Sequence, residues 1–327
     1  MSFDEREDSG VRFLEDRRLE ERQTDERRDD RYVGDDSLLA PSFLQRLDRL
    51  QLVSRRLAEA RRRGRRRTRR AGSGVEAIDQ RAYVPGDDAR RIDWKAYARF
   101  ERLFVRVVAE ESPLRLALVL DTSASMGFGA PSKLQQSARL AAGFAAVALG
   151  GEDRVAALAT SESARLVGRP GSGRRGLLSL CASLDGLRAE RGTSLASAAS
   201  VATSALGGRG LCVIVSDLLD PDGALAGARA CRLRGHEVVL VEVLTPFEID
   251  PPDLSGLELE DAETGAIVEL PPEGALAAYR ESLATHRAEL DAEAAELGVG
   301  VLRVSTEAAF DEVLVRALES GVLRHAA

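Results

Sequence analysis

Residues 114–125 read LRLALVLDTSAS. The first seven are an apolar run of strand length that stops abruptly at Asp121. A strand with apolar residues on both faces is buried on both, as in parallel sheets covered by helices. LCVIVSDLL, starting at Leu211, repeats the pattern and ends in Ser216 and Asp217. Between and beyond these runs the sequence alternates strand-like and helix-like stretches. Helices are expected at 133–149, 174–185, 195–206, 223–233, 275–297 and 307–319, and strands at 237–244 and 299–304. Residues 155–159 and 164–167 read as a hairpin, and 257–259 with 267–270 as a small β insertion around the DAETG turn. This alternation implies an α/β fold with a doubly wound, mostly parallel sheet. Aromatic residues are only 4% of the 327, so Leu, Val and Ala must build the core.

Upstream of the domain the character changes. Residues 1–35 are dense in Asp, Glu and Arg and too poor in apolar residues to offset the entropy of ordering. From 41 to 63, Leu44, Leu47, Leu50, Leu52, Val53 and Leu57 recur at helical spacing, which predicts an amphipathic helix. It runs into RRRGRRRTRR at 61–70, read as a linker or docking surface. No aromatics interleave this run, which argues against base stacking, and the net charge of −7 argues against a general nucleic-acid binder. Peripheral contact with an anionic membrane stays open. The charged N-terminus has no apolar signal region and no run approaches a membrane span, so a cytoplasmic location is expected. Cys181, Cys212 and Cys231 lack metal or redox spacing and read as buried, reduced thiols.

Ligand sites in doubly wound sheets form beyond the carboxyl ends of the strands. Three short sequences sit there: Asp121-Thr122-Ser123-Ala124-Ser125, Gly192-Thr193-Ser194 and Ser216-Asp217. They offer carboxylates and hydroxyls without His or Cys, a donor set suited to a hard cation such as Mg²⁺ or Mn²⁺. The competing reading is that Asp121 and Asp217 only cap turns or helices.

Asp121-x-Ser123-x-Ser125 with a later Thr and Asp resembles the metal-ion-dependent adhesion site of von Willebrand factor A domains. The resemblance implies direct coordination by Ser123, Ser125 and Thr193, with Asp121 and Asp217 acting largely through water. One position would remain open for a partner's Asp or Glu. Residues 81–99, RAYVPGDDARRIDWKAYAR, are similar to the signature of the bacterial domain-of-unknown-function family 58. The likeness spans about residues 74–245, and Glu76-Ala77-Ile78-Asp79 departs from it where the family has an aromatic after the Glu. Members of that family are often associated with MoxR-type AAA+ ATPases, which implies such a partner here. Four segments follow: a charged disordered tail at 1–40, a helix and Arg-rich linker at 41–73, the signature segment packing on the sheet at 74–112, and the A-type domain at 113–327.

Read physically, Pro85-Gly86 makes a tight turn. Asp87, Asp88 and Asp93 stand close to Arg81, Arg90, Arg91 and Arg99, so an ion-pair network is expected, with Trp94 as a packing anchor. Whether the segment braces the sheet or forms a partner surface stays open. Phosphatase chemistry of the haloacid dehalogenase type is disfavoured, because Ser123 stands where a second Asp is needed. GRPGSGRR at 168–175 lacks the Lys and Ser/Thr of a phosphate-binding loop. The expected function is a non-enzymatic, metal-dependent protein-interaction module. The rivals are a metal-dependent hydrolase using the Asp121 cluster and an Arg-rich scaffold for anionic lipid or nucleic acid.

Overall fold

The computed structural model describes residues 37–70, 80–106, 115–149, 154–167, 172–190, 192, 194–252, 258–269 and 274–320. In chain order these form α1 (Pro41–Arg70), β1 (Gln80–Ala82), α2 (Trp94–Phe100), β2 (Phe104–Arg106), β3 (Arg115–Asp121), α3 (Lys133–Leu149), β4 (Arg154–Thr160) and β5 (Ala164–Leu166). There follow α4 (Gly173–Asp185), α5 (Leu195–Leu206), β6 (Leu211–Ser216), α6 (Pro221–Leu233), β7 (Glu237–Leu244) and the short α7 (Pro246–Ile249). The hairpin β8 (Glu258–Glu260) and β9 (Ile267–Glu269), then α8 (Ala275–Leu297), β10 (Gly300–Ser305) and α9 (Phe310–Ser320), complete the described chain.

The main sheet has the order β10-β7-β6-β3-β4-β5. Every neighbouring pair is parallel except β4 with β5. β3 lies in the interior of the sheet, and its alternate residues feed two cores. Leu116, Leu118 and Leu120 join Leu47, Leu50, Leu140, Phe144 and Phe310, under α1, α3, α4 and α9. Ala117 and Val119 join Leu195, Ala198, Ala224 and Leu290 on the other face, under α5, α6 and α8. Helix packing is close: a Cβ on Gly143 of α3 would lie 2.3 Å from a Leu314 methyl of α9. No described helix is long and apolar enough to cross a membrane.

Three sequence expectations change. Leu38 and Ala40, assigned to the tail, are buried, and Ser37 Oγ donates to Asp185 at 2.7 Å. The chain is therefore anchored before α1 begins; residues 1–36 lie outside the described residues. Second, α1 runs without a break through Arg70, so the basic run has a helical backbone instead of forming a linker. Arg and Ala are good helix formers, and the packed first turns supply the nucleus that propagation needs. α1 also belongs to the main core, where Phe43 meets Phe310 and the Arg46 guanidinium lies 4.5 Å from the Phe310 ring.

Third, Trp94 is 62% exposed and cannot be a buried anchor. β1 and β2 pair antiparallel, with Ile92, Ala96 and Val105 as the buried apolar side chains of this small unit. Of the expected network, the described contacts include an Arg81–Asp87 ion pair in the Pro85-Gly86 turn. Asp88 and Asp93 are engaged as caps, accepting from Arg90 N–H and from the Lys95 and Ala96 N–H groups. Short polar side chains before helical turns favour these local bonds.

Candidate functional site

The chain passes from β3 to β4 on one side and returns to β6 on the other. The crevice between β3 and β6 is thus the switch point of the sheet, where doubly wound folds bind ligands. Asp121 ends β3 and Asp217 follows β6 at that crevice. Parallel register brings Leu120 opposite Val215. One residue further, Ser216 Oγ donates to Asp121 Oδ2 at 2.6 Å. Asp121 Oδ1 accepts from Ser123 N–H at 2.9 Å, an Asx-type turn that folds the motif back over its own strand. Thr122 turns away and donates through both N–H and Oγ1 to Thr160 O, at 2.9 Å each.

The hydroxyls converge. Ser123 Oγ lies 3.2 Å from Ser125 Oγ, and Ser125 Oγ donates to Asp217 Oδ2 at 2.8 Å. Lys133, at the start of α3 and 1% exposed, donates to Asp217 Oδ2 at 2.8 Å and to Glu248 Oε1 at 2.6 Å. Glu248 is held by a capping box with Thr245 at the start of α7. A further carboxylate, Glu263 from the β8–β9 turn, accepts from Ser125 N–H and Gly192 N–H at 3.0 Å each. Gly192 has φ +82°, and an added Cβ would lie 2.7 Å from Glu162 Cγ, so the position needs glycine. Leu218, directly after Asp217, is fully buried at φ +56°. Bulky residues rarely adopt that conformation, and its carbonyl lies 3.0 Å from His286 Nε2.

Burial pushes the Asp121 carboxyl above its ordinary range. Hydrogen bonds from Ser216 and Ser123 oppose that shift, and the charge of Asp217 adds to it. The crevice thus holds more carboxylate than the ammonium of Lys133 balances. Neighbouring oxygens around an octahedral Mg²⁺ at ~2.0–2.1 Å stand about 2.9 Å apart. The contacts between Ser123 and Ser125 and between Ser125 and Asp217 are close to that spacing. Asp121, Ser123, Ser125 and Asp217 could therefore hold a hard cation. Among the described residues no group of three or more His, Cys, Asp or Glu side chains forms a chelating cluster, so the set relies on hydroxyls.

The structure brings together four of the five residues expected from sequence. Thr193 lies outside the described residues, although Gly192 beside it reaches the site through Glu263. Lys133, Glu248 and Glu263 were not anticipated. A lysine opening a mostly apolar helix, KLQQSARLAAGFAAVAL, was the one available hint.

A six-stranded, mostly parallel sheet with a hydroxyl-rich crevice at its switch point makes this a doubly wound α/β domain. The chain belongs to the family described as protein of unknown function DUF58, whose model matches residues 79–291. Uncharacterized proteins of Mycobacterium tuberculosis and Mycobacterium bovis are each 33% identical over 242 residues, covering 72% of this chain and 76% of theirs. Solved structures similar to it include the conserved hypothetical protein BatB from Bacteroides thetaiotaomicron, at 18% identity and TM-score 0.42, covering 64% of this chain and 99% of that one. A von Willebrand factor type A protein from Catenulispora acidiphila matches at 13% identity and TM-score 0.40, covering 64% and 42%.

Proposed function

We propose that this domain is a non-enzymatic protein-interaction module that holds Mg²⁺ or Mn²⁺ at the switch point and docks an acidic side chain of a partner protein. The observation that carries this reading is the run of oxygens from Ser123 through Ser125 to Asp217, at 3.2 and 2.8 Å, beside a buried Asp121. A bound ion would supply an electrophilic position for a carboxylate, since neutral hydroxyls leave much of its charge unbalanced. Phe128, Leu219 and Phe247 stand exposed near the motif, after Asp217 and beside Glu248, and exposed aromatic and apolar side chains of this kind suit the core of a protein interface. A MoxR-type AAA+ ATPase as part of the partner system rests on the family resemblance alone. A cytoplasmic location is supported by three buried, unpaired cysteines, including Cys212 and Cys231 with sulfurs 3.7 Å apart and unbonded.

Calorimetric titration with Mg²⁺ and Mn²⁺ tests the reading. Wild type is expected to bind one ion, and Asp121→Ala to bind none while keeping its far-UV circular dichroism. Equal affinity in both proteins would remove the site from consideration.

A further inference from the structure

The β8–β9 hairpin touches the site through its tip. Asp261 Oδ1 accepts from Glu263 N–H at 3.0 Å, Thr264 N–H at 2.7 Å and Thr264 Oγ1 at 2.8 Å. Gly265 N–H donates to Asp261 O at 2.8 Å, and its φ of +71° suits glycine. The turn is therefore set by its own side chains and presents Glu263 in a fixed direction. Both oxygens of that carboxylate are used, one on Ser125 N–H and one on Gly192 N–H. These donors come from two different loops of the site, and Ser125 also belongs to the proposed ligand set. Glu258, Leu259, Glu260 and Ile267 on the hairpin itself are exposed. Among the described contacts, it is the carboxylate at the tip that joins the hairpin to the site.

The geometry points to Glu263 as an intramolecular occupant of the carboxylate-receiving side of the site, which an acidic side chain of a partner must displace. This inference rests on the reading that the site receives a partner carboxylate. A partner carboxylate that reaches the ion by accepting from Ser125 N–H and Gly192 N–H takes the two donors that Glu263 fills, so the two cannot be seated there together. Because the described contacts of the tip are charge-assisted hydrogen bonds, and Leu259 and Ile267 stand exposed, the hairpin can release without unfolding the sheet. The domain then binds weakly until a partner or a cofactor protein lifts the hairpin.

The test uses full-length wild type and Glu263→Gln, which keeps the shape and removes the charge. Hydrogen exchange should rise in Glu263→Gln over residues 123–127 and 258–269, and stay unchanged in the core strands. A fluorescently labelled peptide of residues 258–269, ELEDAETGAIVE, serves as the probe in trans with Mg²⁺ present. Glu263→Gln should bind it at least fivefold more tightly than wild type, and a peptide carrying the same Gln should lose that gain. Unchanged exchange in the hairpin, or equal peptide binding by the two proteins, overturns the inference. Absence of Mg²⁺ binding in both proteins, with the exchange difference intact, instead removes the metal reading and leaves the Glu263 contact standing.

Discussion

At the strand ends Asp121, Thr122, Ser123, Lys133, Ser216 and Asp217 are almost wholly inaccessible, whereas in the unit at 80–106 Trp94, Tyr97 and Phe100 stand in solvent. Residue type alone would suggest the reverse. The difference comes from what each backbone brings together. At the switch point, loops from β3 and β6 and the first turn of α3 converge, so each polar group meets a partner as it loses water. The 80–106 unit is two short strands, a 3-10 turn and one helix of seven residues. So small a piece closes over Ile92, Ala96 and Val105, and among the described residues no second layer covers its rings.

The largest effect is expected where that contrast is sharpest. Lys133 carries the one ammonium facing Asp217 and Glu248 among the described contacts. Lys133→Ala leaves the buried Asp217 and the partly exposed Glu248 without their ammonium, and removing one partner of a buried pair costs about 3–5 kcal/mol. Urea unfolding of the metal-free protein should show this loss through a lower midpoint at similar slope. Saturating Mg²⁺ should return part of it, because the ion supplies the missing positive charge. A loss under about 1 kcal/mol would mean that the pair is open to water.

A smaller effect, with a distinctive sign, is expected at Asp121. Its raised pKa means that the folded state holds a proton more tightly than the unfolded chain. Between the ordinary carboxylate pKa and the raised folded value, the folded protein therefore binds more protons, and stability falls as pH rises. Above the raised value the full penalty of the buried charge persists. Asp121→Asn removes that charge with little change of shape. In EDTA at neutral pH it should be as stable as wild type or more so, with a flatter dependence on acid pH. In Mg²⁺ the order should invert, since wild type gains about 2.7 kcal/mol at one hundred times its Kd and the variant gains nothing. Thermal melts at several pH values, with and without Mg²⁺, check both signs. A variant less stable in EDTA would show that the carboxylate serves as a structural acceptor above all.

This dependence on converging loops also explains what was legible in the sequence. β3 and β6 were visible because an apolar run ending in Asp is a local pattern, and the switch-point residues Asp121, Ser123, Ser125 and Asp217 came with them. The partners that neutralise and cover them are remote: Lys133 lies 84 residues from Asp217 and 115 from Glu248, and Glu263 lies 138 from Ser125. Nothing in a local window distinguishes such residues from surface charges. Leu38 was missed for the opposite reason. A single short apolar stretch at the edge of a charged segment looks like tail, and its burial depends on α4 ending nearby at Asp185. Trp94 was misread because a lone Trp in an ordered motif suggests an anchor, while burial depends on a covering layer that no motif encodes.

The smallest effect is expected at Trp94 itself. Its indole is 62% exposed and makes an edge contact with Tyr97, with ring centroids 6.2 Å apart. Removing the ring forfeits that pair, worth about 0.5–1.5 kcal/mol when well formed, and only a minor share of its apolar area. The α2 cap is untouched, because Asp93 accepts from the Lys95 and Ala96 N–H groups whatever side chain follows it. Trp94→Ala should therefore lower the unfolding free energy by about 1 kcal/mol or less, well below the cost at Lys133. As the only Trp of the chain it also gives an unambiguous fluorescence reading. Its emission should sit near that of a solvated indole and be quenched readily by acrylamide. A blue-shifted, poorly quenched Trp94, or a loss of several kcal/mol in the variant, would show that the ring is covered in solution and would reverse the contrast between the two regions.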